Sequence, residues 1–120
     1  MIEGKFFFDT YAFFGIINGM ESYSGFAHAI AVTTIFNLAE LNYAMKREGN
    51  KEADSYTKKY WPLLAEVKAV DISNAVKLRL EKKALSMPDA IGYTVAKRLG
   101  IKFLTGDKEF VQMENVEFVK

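Results

Sequence analysis

The sequence predicts an α/β domain built on a parallel sheet. Three observations lead there. Short apolar or β-branched runs alternate along the chain with stretches of helical period. The first run, Phe6-Phe7-Phe8, is apolar at every position, as in a strand covered on both faces. That run stops at Asp9, and open parallel sheets bind their ligands beyond the carboxyl ends of the strands.

Taken in order, the first strand is Phe6 to Phe8. Thr10 is the expected N-cap of a helix to Ile17, with Phe13, Ile16 and Ile17 on its buried side and Asn18-Gly19 as its stop. Glu21 to Ala27 reads as a short helix or loop. Ala29 to Thr33 is a β-branched run and a second strand. Phe36 to Glu48 has apolar residues at Phe36, Ala39, Tyr43 and Ala44 and is followed by Gly49, which makes it a helix with Glu40 about one turn in. Lys51 to Tyr60 is charged and reads as an exposed helix that Pro62 kinks or ends.

Val67 to Ile72 is read as a third strand. Ser73 then caps a helix reaching Ala84, with Val76, Leu80 and Ala84 on one face. Ser86-Met87-Pro88-Asp89 is a strong helix start, because proline is tolerated in the first turn and an acid there suits the helix dipole. Ile91, Val95 and Leu99 are the buried stripe of that helix, and Gly100 ends it. Ile101 to Thr105 is a fourth strand, leading into Gly106-Asp107, and Val116 to Val119 is the last. With right-handed crossovers, this order gives one domain over residues 1–120, a five-stranded parallel sheet with helices on both faces.

A chain of 120 residues can bury a core of its own. Its 50% hydrophobic and 26% charged residues are ordinary for a soluble globular protein. The lack of cysteine excludes disulfides, thiolate zinc sites and cysteine nucleophiles, and fits a reducing cytosol. A net charge of +1 gives no overall attraction to nucleic acid, so any such binding needs a local basic patch. The opening Met-Ile-Glu-Gly has no basic stretch leading into an apolar leader core. No apolar run approaches the ~18 residues of a membrane span. A mature cytoplasmic protein, with no membrane contact, is the expectation.

The acids carry the chemistry. Asp9 and Asp107 each follow a predicted strand, so parallel neighbours would bring them out at one edge. Glu40 lies early in the helix after the second strand. Asp89 lies in the first turn of the helix leading to the fourth. Four carboxylates at one edge repel and raise each other's pKa. A hard divalent cation relieves this, and Mg²⁺ takes oxygen ligands while keeping waters. Such an ion activates water and stabilises the charge of in-line attack on a phosphodiester. Each acid alone has a plainer reading: a turn former for Asp107, a dipole partner for Asp89, a cap for Asp9. Glu40, among Leu38, Ala39 and Leu41, is the hardest to explain as a solvated surface residue.

The motifs Phe7-Phe8-Asp9-Thr10, Asn37-Leu38-Ala39-Glu40-Leu41, Pro88-Asp89-Ala90-Ile91-Gly92-Tyr93-Thr94 with Ala96, and Phe103-Leu104-Thr105-Gly106-Asp107-Lys108-Glu109-Phe110 span nearly the whole chain. In this order and spacing they resemble the PIN-domain nucleases, most closely the VapC-like toxins of prokaryotic toxin–antitoxin pairs. The resemblance implies a five-stranded sheet with the first strand central. It implies Mg²⁺- or Mn²⁺-dependent cleavage of RNA by metal-activated water, a cognate antitoxin and a homodimer. Asp9, Glu40, Asp89 and Asp107 fall on the family's acidic positions. Thr105 falls on its hydroxyl position, which orients an acid or a water. Tyr11 departs from the small polar residue, Asn or Ser, that family members often carry there. The departure bears on one hydrogen bond around the ligands, not on the ligand set.

Two other functions fit part of the pattern. One is an RNA-processing nuclease of the same fold without a toxin role. The other is a non-catalytic, receiver-like metal-binding module with Asp71 as a phosphorylatable acid, although Glu40 and the Pro88-Asp89 start have no part in it. His28, the single histidine, reads as a packing residue. Lys97, Arg98, Lys102 and Lys108 read as ordinary surface charges. Tyr56, Tyr60, Trp61 and Pro62 read as packing on the sheet or as part of a protein interface.

Overall fold

The computed structural model describes residues 4–120. The reading of Met1 to Gly4 as leaderless falls mostly outside them. The elements run β1 (Lys5–Phe8), α1 (Thr10–Ile17), β2 (Ile30–Val32), α2 (Ile35–Arg47), α3 (Ala53–Tyr60), α4 (Ala69–Glu81), α5 (Met87–Leu99), β3 (Lys102–Thr105) and β4 (Val116–Phe118). Short 3₁₀ turns cover Glu21–Phe26, Trp61–Leu63 and Lys108–Phe110.

The strands form one parallel sheet in the order β2-β1-β3-β4, so the first strand is internal, as the resemblance implies. Alternation along β1 divides the core in two. Phe8 points to the side covered by α1, α2 and α3, with Phe13, Leu38, Leu41 and Met45. Phe7 points to the side covered by α5 and α4, with Ala90, Val95 and Phe103. Phe7 and Phe103, paired in register on β1 and β3, stack with ring centroids 5.6 Å apart. An apolar triplet is therefore required at β1 because both of its faces are covered.

One predicted strand is not a strand. Residues 67–72 lead into α4, which starts at Ala69, so the described sheet has four strands where the sequence suggested five. The buried positions of α4 include Asp71 and Ala75, a spacing of one helical turn. A charged residue on the inner face masks that period, and the β-branched Val70, Ile72 and Val76 point outward at 53%, 39% and 41% exposure. Ser73 is consequently inside the helix and not its cap. The start is held by the Asp71 carboxylate, which accepts the Lys68 amide at 2.8 Å. Val76 and Leu80 share a face as expected, but it is the outer face, and Ala84 lies beyond the helix.

The cap of α1 also moves by one residue. Asp9 is the N-cap and Thr10 the first helical residue, because the Asp9 Oδ1 accepts the Ala12 amide at 2.8 Å. Tyr60 is buried against Phe13, centroids 4.5 Å apart, whereas Trp61 is 57% exposed. His28 is exposed and does not pack in the core. Among the described residues no helix is long and apolar enough to cross a membrane.

Candidate active site

β1 and β3 run side by side, with Phe8 opposite Leu104, and the Asp9 amide donates to the Leu104 carbonyl at 3.3 Å. Both chains leave the sheet at this point. Asp9 turns into α1, while Thr105 and Gly106 lead to Asp107. Asp9 is 2% exposed and Thr105 is fully buried. The Thr105 hydroxyl donates to Asp9 Oδ2 at 2.5 Å and accepts the Asp107 amide at 3.0 Å. One hydroxyl thus fixes the carboxylate of the first acid and the backbone of the last. Asp107 Oδ1 accepts the Glu109 amide at 3.0 Å, which caps the next turn.

The other two acids arrive on helices. The Thr34 hydroxyl caps α2 by accepting the Asn37 amide at 3.3 Å, and also donates to Asn37 Oδ1 at 2.7 Å. The buried Asn37 Nδ2 donates to the Pro88 carbonyl at 3.4 Å, joining the start of α2 to the start of α5. Glu40 follows one turn later. Its Oε1 accepts the Thr10 hydroxyl at 2.7 Å and its Oε2 the Ser86 hydroxyl at 3.3 Å. Ser86 is the N-cap of α5 and accepts the Asp89 amide at 3.2 Å. Gly92 lets α5 approach β1, since a Cβ there would lie 2.8 Å from the Phe7 ring and 3.0 Å from Asn37 Oδ1.

All four predicted acids line a single cleft of about 380 Å³, together with Thr10, Tyr11, Phe14, Tyr43, Ala44 and Arg47. Thr105 stands behind Asp9, outside the lining. Thr10, Ser86, Tyr43 and Arg47 were not singled out from the sequence as site residues. The signal was available for two of them: Tyr43 and Arg47 follow Glu40 at i+3 and i+7, on its own helix face. Arg47 is the one basic side chain lining the cleft among the described residues.

Burial dominates the electrostatics. It pushes Asp9 up to about 8; Asp89 and Asp107 add to the rise, and the bonds from Thr105 and the Ala12 amide partly offset it. Asp89 is pushed up to about 6, first by burial and then by the charge of Glu40, with Asp107 contributing and Ser86 opposing. The donor set is carboxylate oxygen alone, which suits a hard divalent cation and not a soft metal. Among the described residues, no three Asp, Glu or His side chains are arranged to hold an ion as they stand.

A larger hollow, about 440 Å³, lies between α4 and α5 and includes Asp71, Lys97 and Arg98. Its charges are already matched. Arg98 pairs with Asp71 at 2.9 Å and Lys97 with Glu114 at 2.8 Å. Asp71 does not line the acidic cleft and is not the strand-end acid a receiver needs.

A parallel α/β sheet with four carboxylates gathered in a cleft at the carboxyl edge of its inner strands defines the class of protein. The chain belongs to the PIN domain family, which it matches over residues 6–116. It is similar in fold to VapC20 of Mycobacterium tuberculosis, a sarcin–ricin loop cleaving toxin, with TM-score 0.75 and 18% identity over 96% of this chain and 99% of that one. A toxin–antitoxin complex from Klebsiella pneumoniae contains a chain with TM-score 0.72 and 19% identity, over 92% and 94%. VapBC2 of Rickettsia felis, bound to a DNA fragment from its promoter, gives TM-score 0.68 and 19% identity, over 97% and 99%. No curated protein matches by sequence.

Proposed function

We propose that residues 1–120 act as one nuclease domain, a metal-dependent endoribonuclease that is the toxin of a toxin–antitoxin pair. The observation that carries this is the shared cleft: four acids from β1, α2, α5 and the turn after β3 meet in one opening that holds a single basic side chain. Membership of the PIN family and the likeness to chains from toxin–antitoxin complexes support the toxin role. They likewise support an antitoxin protein partner; an RNA substrate, a homodimer and a cytoplasmic setting belong to the same proposal.

Asp9, Glu40, Asp89 and Asp107 would hold Mg²⁺ or Mn²⁺. When bound, the ion supplies charge neutralisation and an activated water for attack on the phosphodiester. The chain's own residues prepare that site. Thr105 and the Ala12 amide hold both oxygens of Asp9, so its carboxylate keeps one orientation. Thr10 and Ser86 do the same for Glu40. Burial lets Asp9 keep a proton up to about 8 and Asp89 up to about 6, so below those values a cation must displace protons to bind, and affinity rises with pH.

The test is a cleavage assay on single-stranded and structured RNA with Mg²⁺, Mn²⁺ or chelator. Wild type should cut only with metal, and Asp9→Asn should not cut. Full activity in Asp9→Asn, or undiminished activity in chelator, would refute the assignment.

A further inference from the structure

The acidic cleft continues into a second hollow of about 280 Å³, and the two share Tyr11, Phe14, Ala44 and Arg47. Asn18, Met20 and the acid Glu48 complete its lining, and Glu48 leaves Arg47 as the hollow's single cation. Building on the ribonuclease reading, we infer that this hollow is a nucleobase subsite. It takes an unpaired base beside the phosphate at the acidic centre, with Tyr11 as the stacking face and Arg47 as the contact to a flanking phosphate.

Tyr11 is fixed in place for such a role. Its ring lies over Gly106, where a Cβ would come within 2.3 Å of the ring edge. Behind it, 6.4 Å away between centroids, is the buried ring of Tyr23, whose hydroxyl donates to the Val119 carbonyl at 2.6 Å. Yet Tyr11 is 39% exposed, toward the two hollows it lines. A rigid aromatic face loses little freedom when a base stacks on it. The residue that departs from the usual small polar type is therefore the wall between the acids and the hollow.

Arg47 makes no ion pair among the described residues. Its guanidinium lies 5.4 Å from the centroid of Tyr43, which is 65% exposed. A cation between an acidic cleft and an aromatic hollow complements a chain in which phosphates alternate with flat bases. Asn18 has a side-chain amide with both donors and an acceptor, as the edge of a base requires. A paired base could not enter, so the substrate region is single-stranded or looped out.

The test is fluorescence anisotropy, in chelator, with two short single-stranded oligoribonucleotides of equal charge, one normal and one abasic throughout. Repulsion by the carboxylates acts on both alike and cancels in the ratio. Wild type should bind the normal strand about tenfold more tightly. Tyr11→Ala should bring that ratio toward one, Tyr11→Phe should keep it, and Arg47→Gln should weaken both strands together. Asn18→Met, at an exposed position of the lining, narrows the hollow with a chain that has no ring and should also reduce the preference, which keeps the test valid if Tyr11→Ala does not fold. A wild-type ratio of one, or a ratio that survives both Tyr11→Ala and Asn18→Met, would overturn the base assignment and leave the hollow to a protein contact. Cleavage of the normal strand in Mg²⁺ or Mn²⁺ is scored separately. Base-dependent binding without cleavage would sink the ribonuclease reading and keep the subsite; cleavage without base dependence would sink the subsite alone.

Discussion

Asp9 and Asp71 are equally hidden from solvent, at 2% and 1% exposure, and they are held in opposite ways. Asp71 lies between α4 and α5 with Arg98 Nε at 2.9 and 3.1 Å from its two oxygens and the Lys68 amide at 2.8 Å. Burial alone would raise its pKa, but the Arg98 bonds, that amide and the nearby positive charges outweigh it and the pKa falls. At Asp9 deep burial outweighs two neutral donors, acidic neighbours add to the rise, and the pKa reaches about 8. Equal exposure hides unequal depth: Asp9 lies far deeper among protein atoms than Asp71, and the fold supplies a cation to Asp71 and withholds one from Asp9. The fold tolerates the second case because Thr105 and the Ala12 amide satisfy the carboxylate's hydrogen bonds without neutralising it.

The sharpest way to break this comparison is to remove each charge in turn. Asp9→Asn should cut RNA cleavage by at least about a hundredfold. The metal-free protein should nonetheless remain folded in thermal melts. Asp71→Asn should do the reverse. It should leave cleavage per folded molecule unchanged and cost about 2 kcal/mol in urea denaturation, since Arg98 loses a charged partner. Comparable activity losses in the two variants would mean that the distinction between them is false.

The two acids should also give opposite pH signatures. The folded pKa of Asp9 exceeds its ordinary value of 3.8, so between about 4 and about 8 the native chain keeps a proton that the unfolded chain has shed. Its contribution to stability is full below that window and is lost as pH rises through it. The folded pKa of Asp71 is depressed, so its contribution is present above the ordinary carboxylate pKa and is lost as pH falls through the folded value. Metal-free Tm of wild type should therefore fall relative to Asp9→Asn as pH rises from about 5 to about 8. Added Mg²⁺ should raise Tm by linkage, more at the higher pH. Glu40→Gln should diminish that gain, and an undiminished gain would remove Glu40 from the ligand set.

Smaller changes probe how Asp9 is held. Thr105→Val removes the hydroxyl that serves Asp9 and the Asp107 amide, and should lower cleavage about tenfold. It should also move the acid limb of the pH–rate profile upward, because a bond that lowers the Asp9 pKa is gone. Ser86→Ala loses the cap of α5 and one partner of Glu40, and should cost about 1 kcal/mol by denaturant titration. An unchanged stability would argue that the α5 start is held by Asn37 and Pro88 alone.

The same contrast explains what could be read in advance. β1, α2, α5 and β3 were legible because each carries its own punctuation: an apolar triplet, a glycine after a polar end, a Ser-x-Pro-Asp start, a β-branched or aromatic run. The four acids were legible because each stands next to such an element. α4 was misread because its inner face bears Asp71, and a buried charge looks like a surface residue until Arg98, on a helix far along the chain, is seen beside it. Tyr43 and Arg47 bear no acid and so carry no metal signal of their own, although helical spacing from Glu40 places them on its face.

Local sequence alone determined most of the alternating α/β order, a first strand with both faces buried, and the four acids at strand ends and helix starts, because periodicity and capping act over a few residues. Only the tertiary structure decided which buried aspartate meets a cation and which does not, and that Tyr11 rests on Gly106 to wall a second hollow. Those outcomes depend on groups brought together across as many as 96 positions of chain, as Thr105 is to Asp9, and no local pattern encodes such a meeting.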